Sequence, residues 1–178
     1  MPQLEGESIH LRPLSVDDAG DMHAAAMESA AELETTMPWF SRSMTVESFR
    51  SFATWAAEAW DRGEHYEFSI FARHGAYVGS AGLSVDTKTN AANLQYWVRT
   101  SATRRGVASE AIRLVARWGI ATLGLQRVEI FISNHNVASQ MAARKSRAQF
   151  EGVLRNKIRW DERPFDAHIF SFVPSDFG

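Results

Sequence analysis

The chain has no cysteine in its 178 residues, which excludes disulfide frameworks, thiolate zinc sites, iron–sulfur ligation and a cysteine nucleophile. This absence also suits a reducing compartment. Charge of neither sign prevails: 19 Lys and Arg against 21 Asp and Glu leave a formal net charge of −2, ill suited to coating nucleic acid. No run approaches the roughly 18 apolar residues that a membrane span requires. The opening MPQLEGESIHLRPL lacks the basic start, apolar stretch and cleavage site of a secretory leader, so a cytoplasmic protein without membrane association is the default expectation. Linkers, low-complexity runs and internal repeats are also missing. The length suits one core, and residues 1–178 are read as a single domain. What the chain does have is aromatic mass. Its 6 Trp and 11 Phe, within 45% hydrophobic residues, imply a substantial core and an aromatic-lined pocket.

The hydrophobic period changes along the chain in an informative order. Residues 8–14 alternate as a strand, and Ser15, followed by Asp17 and Asp18, caps a helix expected to run to about residue 29. Past Met37-Pro38-Trp39-Phe40, Thr45 caps a second helix in which Val46, Phe49, Phe52, Ala56 and Trp60 recur at three- and four-residue spacing. It ends before Gly63. Short β-type runs follow at 67–73 and 76–85, joined at His74-Gly75, and a third at 92–98; together they predict an antiparallel meander. Ala108, Ala111, Ile112, Val115 and Trp118 stripe a helix reaching about residue 123. A buried strand at 127–132, a helix with Val137, Ala138, Met141 and Ala142 on its apolar face, and closing strands at 149–155 and 167–173 complete an α+β order with a mixed sheet.

The break at 99–105 carries the most chemistry. It joins the strand Tyr96-Trp97-Val98 to a long helix through Arg99-Thr100-Ser101-Ala102-Thr103-Arg104-Arg105-Gly106-Val107-Ala108-Ser109. First-turn amides lack helical partners and sit at the positive end of the helix dipole, so such a turn can hold a phosphate or pyrophosphate. Gly106 and Ala108 keep the backbone approachable, while Arg104 and Arg105 add charge. Taken alone, Arg-Arg-Gly reads equally as a solvated helix start. Neither Gly-x-x-x-x-Gly-Lys nor Gly-x-Gly-x-x-Gly occurs, so a Walker loop and a dinucleotide fingerprint are excluded. Histidines at 10, 23, 65, 74, 135 and 168 show no metal-ligand spacing, a Gly-x-Ser-x-Gly elbow is missing, and no nucleic-acid module is present.

In this order the motifs resemble the GNAT superfamily of N-acetyltransferases from about Ile9 to Asp176, and within it the RimJ/RimL-like branch that acetylates ribosomal-protein amino termini. Thr103-Arg104-Arg105-Gly106-Val107-Ala108 matches the family's Arg/Gln-x-x-Gly-x-Gly/Ala loop, with Thr103 departing from it. Asn136-Val137-Ala138-Ser139 matches Asn-x-x-Ser at the next helix start, and residues 150–155 and 166–176 look like the family's carboxy-terminal hairpin. The resemblance implies a GNAT-like three-layer fold, a central mixed, mostly antiparallel sheet flanked by helices. It also implies transfer of the acetyl group of acetyl-CoA directly to a primary amine, on a protein amino terminus or a small molecule, without a metal. By the same resemblance, Arg104, Arg105, Gly106, Val107, Ala108 and Ser109 hold the pyrophosphate, and the pantetheine arm pairs along Trp97, Val98 and Arg99. Asn136 holds that arm, and Ser139 hydrogen-bonds near the sulfur or donates a proton. Trp39 and Phe40, in a loop similar to the branch's acceptor-side loop, and His135 are implied for the substrate pocket.

The chain departs from the family where the acid and base usually stand. The tyrosine that many members place seven residues after the helix-starting asparagine is Ala143 here, and the glutamate of Glu-x-Gly-Tyr-Trp is Asn93 in Asn93-Leu94-Gln95-Tyr96-Trp97. Glu67, on the neighbouring strand, and His135 are candidates for passing a proton through water, although Glu67 also reads as a strand-edge surface carboxylate. An α-amine acceptor eases the task, since its pKa of about 7.7–8.0 lies well below about 10.4 for lysine. These departures keep a second reading open, a catalytically impaired CoA-binding regulatory or interaction protein. Arg147-Ala148 replaces the Gly-Phe of relatives at a helix end, predicting a strained or rearranged terminus beside Lys145, and Gly152 reads as a bulge or a close-packing position. The sequence leaves the acceptor and the oligomeric state open, a homodimer included.

Overall fold

A computed structural model describes residues 2–160 and 162–178. Strand β1 (Leu4–Glu5) pairs with β2 (Ile9–Pro13), after which Ser15 opens the first helical layer. Its hydroxyl accepts the Asp17 N–H at 3.2 Å, and the Asp18 carboxylate accepts the Ser15 N–H at 3.0 Å. This reciprocal cap sets one 3₁₀ turn before α1 (Ala19–Glu28). Helix α2 (Ala30–Thr36), unforeseen in the sequence, resumes beyond a break at Ser29, whose hydroxyl donates back to the Ala25 carbonyl at 2.7 Å. Thr45 caps α3 (Val46–Asp61) as expected, accepting the Ser48 N–H at 3.3 Å.

The expected meander follows as β3 (His65–Ala72), β4 (Tyr77–Asp86) and β5 (Ala91–Val98), all antiparallel. Helix α4 (Val107–Leu123) then crosses over to β6 (Arg127–Ser133), which lies parallel to β5 but pairs with it only from Ala91–Asn93 to Arg127–Glu129. Helix α5 (Val137–Lys145), β7 (Gln149–Trp160) and β8 (Arg163–Phe172) end the sheet, with β8 inserted between β6 and β7. The order is therefore β1-β2-β3-β4-β5-β6-β8-β7, a mixed, mostly antiparallel sheet in an α+β fold. Gly152 does sit at a bulge: its φ is 149° and the β7–β8 register shifts between Phe150 and Gly152.

Strand alternation divides the core into two apolar clusters. Phe68, Ile70, Leu83 and Leu94 face one way and pack with Ile112 and Val115 of α4 and with Val128, Ile130, Phe170 and Phe172. Phe71 and Trp97, of opposite parity, and Tyr77, turned to the same side by the register shift between Ile70 and Phe71, join Met22, Leu33, Phe40 and Phe49 beneath the α1–α3 layer. Helices thus cover both faces, and each large buried side chain contributes on the order of 1.5–3 kcal/mol. The α5 terminus is strained but not rearranged. Arg147 takes the left-handed conformation with φ 70°, its N–H donates to the Arg144 carbonyl at 3.0 Å, and the Ala148 N–H donates to the Ala143 carbonyl at 3.2 Å. A non-glycine residue therefore occupies a Schellman turn suited to glycine. Among the described residues, no helix is long and apolar enough to cross a membrane.

Candidate active site

The sheet opens where β5 and β6 part. Their pairing ends at Asn93 and Glu129, so the later residues of β5 have no strand on that side. The Arg99 N–H donates to the Val78 carbonyl at 2.9 Å; by alternation, the amides of Gln95 and Trp97 also face β4, and those of Tyr96 and Val98 face the gap. Tyr96 crosses this gap. Its hydroxyl lies 2.5 Å from Ser139 Oγ and donates to the Ser139 carbonyl at 3.2 Å, and burial pushes the phenol up to about 12. Asn136 caps α5, its Oδ1 accepting the Ser139 N–H at 3.0 Å, which leaves the side-chain NH₂ as the group able to donate to a ligand. The sequence reading had placed no function on Tyr96.

At the start of α4, Gly106 takes φ 87° and Arg104 φ 62°, which turns the chain sharply into the helix. The first helical bond, from the Glu110 N–H to the Gly106 carbonyl at 3.0 Å, leaves the amides of Val107, Ala108 and Ser109 ahead of it. Ser109 Oγ is itself committed to the Gly106 carbonyl at 2.8 Å. A Cβ on Gly106 would stand 3.7 Å from Lys145 Nζ, so a third cation joins the exposed Arg104 and Arg105 at this turn. These groups fit a pyrophosphate: free amides, a positive dipole end and mobile cations converge on one left-handed glycine.

Arg99 does not belong to that cluster. Its guanidinium holds the Glu28 carboxylate through Nη2 and through Nε at 3.1 Å, and donates to the Tyr77 carbonyl at 3.2 Å. Its amide is spent on Val78. The expectation that Arg99 pairs with a cosubstrate arm is corrected accordingly; it ties α1 to the end of β5.

Beneath α3 and the gap lies a cavity of about 720 Å³, reached by Trp39, Glu67, Trp97, Asn136 and Ser139. Trp39 stands 43% exposed at its rim, edge-on to Trp97 at 6.2 Å. Phe40 and His135 do not line it. Phe40 turns inward, 8% exposed, into the core under Trp39, while His135 is exposed and packs edge-on against Phe165 at 5.7 Å.

Glu67 is no surface carboxylate: it is 7% exposed and faces the cavity. Register explains the placement. His65 pairs with Ser84 and Ser84 with Asn93, while Glu67 pairs with Gly82 and Gly82 with Gln95, so two polar rows cross β3, β4 and β5 on one face. Within them Glu67 Oε2 meets His65 Nε2 at 2.8 Å, and His65 Nδ1 meets Ser84 Oγ at 3.0 Å. Trp55 of α3 covers the imidazole at 5.1 Å. A Cβ on Gly82 would collide with Glu67 Oε2 and come within 3.0 Å of His65 Nε2, so the glycine makes the space that the pair occupies. The alternating His-x-Glu-x-Ser, Ser-x-Gly-x-Ser and Asn-x-Gln signals are visible in the sequence. Their alignment needs the register.

Comparison with known proteins identifies the family and the fold. The family profile described as Acetyltransferase (GNAT) domain matches residues 8–149. "Probable N-acetyltransferase YjcK" of Bacillus subtilis is 28% identical over 160 residues, covering 88% of each chain. Among solved structures, the ribosomal-protein-S5-alanine acetyltransferase from Vibrio fischeri superposes with a TM-score of 0.87 at 16% identity over 100% of both chains. Mycobacterium smegmatis RimJ in complex with CoA-disulfide gives 0.84 at 21% identity, over 95% of this chain and 83% of that one. At these identities, the structural likeness is one of fold.

Proposed function

The chain belongs to the GNAT family of acetyltransferases, and from that premise we propose that it moves the acetyl group of acetyl-CoA to a primary amine, either a protein amino terminus or a small molecule. The observation carrying this reading is the path along β5: its unpaired edge lines a cavity holding a buried carboxylate and leads on to the amide-rich start of α4. Acetyl-CoA supplies an activated thioester. Arg104, Arg105, Gly106, Val107, Ala108, Ser109 and Lys145 are assigned to its pyrophosphate, Val98 to its arm through the N–H that faces the gap, with Trp97, whose N–H faces β4, packing alongside rather than pairing, and Asn136 to the arm through the side-chain NH₂. Proximity of the two substrates in the opening provides much of the rate.

Two protons must also be managed. Glu67 takes one from the incoming ammonium, leaving the lone pair free on nitrogen. Ser139, hydrogen-bonded to Tyr96, delivers one on the leaving-sulfur side. Tyr96 thus stands where the family tyrosine, replaced by Ala143, would otherwise be missed. Trp39 shapes the acceptor mouth. On the same reading the enzyme is cytoplasmic, takes a peptide or small-molecule amine as its acceptor, binds no nucleic acid or membrane directly, and is compatible with a homodimer.

Incubation with acetyl-CoA and a panel of peptides and amines tests this, with thiol release as the readout. CoA binding without thiol release on any acceptor would support the alternative of a catalytically impaired CoA-binding regulatory or interaction protein. Gly106→Glu is expected to abolish the thermal stabilisation produced by CoA, because it puts a charged side chain on a φ of 87° at the anion turn. Ser139→Ala is expected to lower kcat about 10- to 100-fold while leaving CoA affinity nearly unchanged.

A further inference from the structure

The floor of the cavity presents oxygen atoms that lack donors. Glu67 uses Oε2 for His65, and Oε1 has no hydrogen bond among the described residues. Asn93 Oδ1, one strand beyond Gly82 on the same face, is buried and likewise unpartnered among them. An amide oxygen buried without a donor is costly, and the unused oxygen of the Glu67 carboxylate lines the same cavity. A primary ammonium brings three donors and a positive charge. Its organic substituent would then meet the aromatic wall formed by Trp39, Phe52 and Trp55.

Resting on the acetyl-transfer reading, we propose that Glu67 and Asn93 together receive the acceptor's ammonium, and that His65 and Ser84 are positioning residues that aim Glu67 for deprotonation. Ser84 Oγ–H donates to His65 Nδ1, which fixes the tautomer carrying the proton on Nε2; that N–H donates to Glu67 Oε2 and leaves Oε1 for the substrate. The ammonium passes one proton to Oε1, and its N–H bonding pair stays on nitrogen as the attacking lone pair. The N–C bond then forms as the C–S bond breaks, and the second amine proton goes to the departing sulfur by way of Ser139 and Tyr96. The proton on Glu67 returns to solvent through the cavity mouth.

The surroundings direct that proton to Glu67. On β4, Tyr77 is raised well above its ordinary range by burial and by the nearby Glu67 and Asp18 carboxylates, so it stays protonated. Asp18 is bound by Arg12 and Ser69. Helix α3 contributes only Phe49, Phe52 and Trp55 to the cavity, β5 brings Asn93 and Gln95, and β7 adds Lys157.

Steady-state kinetics over a pH series, with the best peptide or arylalkyl amine from the panel, test the assignment. Glu67→Gln is expected to lower kcat/KM for the amine on the order of 100-fold. His65→Ala should lower it roughly tenfold and move the acid limb to higher pH, with acetyl-CoA KM unchanged, and His65→Gln should recover part of the loss by restoring an N–H donor. Gly82→Ala should also lower kcat/KM for the amine with both side chains chemically intact, since the atoms nearest the added methyl belong to Glu67 and His65 and the pair must shift to admit it. Imidazole ¹⁵N spectra of the unliganded protein should show the Nε2–H tautomer for His65 and lose that preference in Ser84→Ala. Wild-type kcat/KM and pH profile in both His65→Ala and Gly82→Ala, or an Nδ1–H tautomer in the wild type, would overturn the proposal. A wild type that acetylates nothing on the panel would instead overturn the acetyl-transfer reading, and this inference with it.

Discussion

Asp18 shows how much one side chain can hold at the base of the α1–α3 layer. It is 4% exposed, receives Arg12 at 2.6 and 2.9 Å, Ser69 Oγ at 2.7 Å and the Ser15 N–H at 3.0 Å. Burial works against its charge, yet the donors from Arg12, Ser69 and Ser15 outweigh burial and hold the carboxyl below its ordinary value. Asp18→Ala leaves those donors facing a hole, and a loss of about 2–4 kcal/mol in urea unfolding is expected. Glu28 answers to pH. Arg99 first, then the Ser101 amide, lower its carboxyl from 4.5 to about 2, so its stabilising contribution is complete above pH 4.5 and disappears as pH falls towards 2. Glu28→Gln should therefore flatten the acid limb of stability in that window, measured as urea midpoints from pH 2 to 5; an unchanged limb would contradict it. The Ser69–Asp18 and Arg99–Glu28 contacts join residues far apart in sequence. The Ser15-to-Asp18 cap was legible, whereas the third partner of Asp18, Ser69, depended on how β3 lies under α1.

At the scale of elements, α5 carries a correctable strain. Arg147 holds φ 70° in a turn whose two closing hydrogen bonds are both made, so the backbone is right and the side chain is wrong for it. Arg147→Gly is expected to stabilise the protein by about 1 kcal/mol, seen as a rise in Tm with activity retained. This strain was legible because a missing glycine at a helix end is a local signal. Helices α3 and α4 were legible for similar reasons, each having a start signal and an apolar stripe. Helix α2 was not: Ala-Ala-Glu-Leu-Glu-Thr-Thr offers one large apolar residue, and its place is set by Leu33 docking into the layer. Strand β1 has two residues and exists through pairing with β2. Strand β7 runs to Trp160, past the expected residue 155, because β8 extends alongside it. The polar faces of β3, β4 and β5 were visible as alternation, but their meeting as His65, Ser84 and Asn93 was a matter of register.

For the whole molecule, the decisive feature is the short ladder between β5 and β6. Three residue pairs, from Ala91–Asn93 to Arg127–Glu129, join the amino-terminal strands to the carboxy-terminal ones, and farther up Tyr96 reaches Ser139 across the gap. Tyr96→Phe removes that second link and is expected to speed amide exchange in α5 and β6 while sparing β3 and β4. Saturating CoA should suppress the difference, since a ligand bound to the native state at about 100 times its Kd adds about 2.7 kcal/mol. The sheet is consequently an unfinished one, and its missing member is not polypeptide. In the proposed reaction, an arm lying on the free amides of Tyr96 and Val98 serves as the absent strand, so the protein is stiffest when loaded. Each product release then returns that edge to solvent, so the stiffness of this seam rises and falls once per turnover.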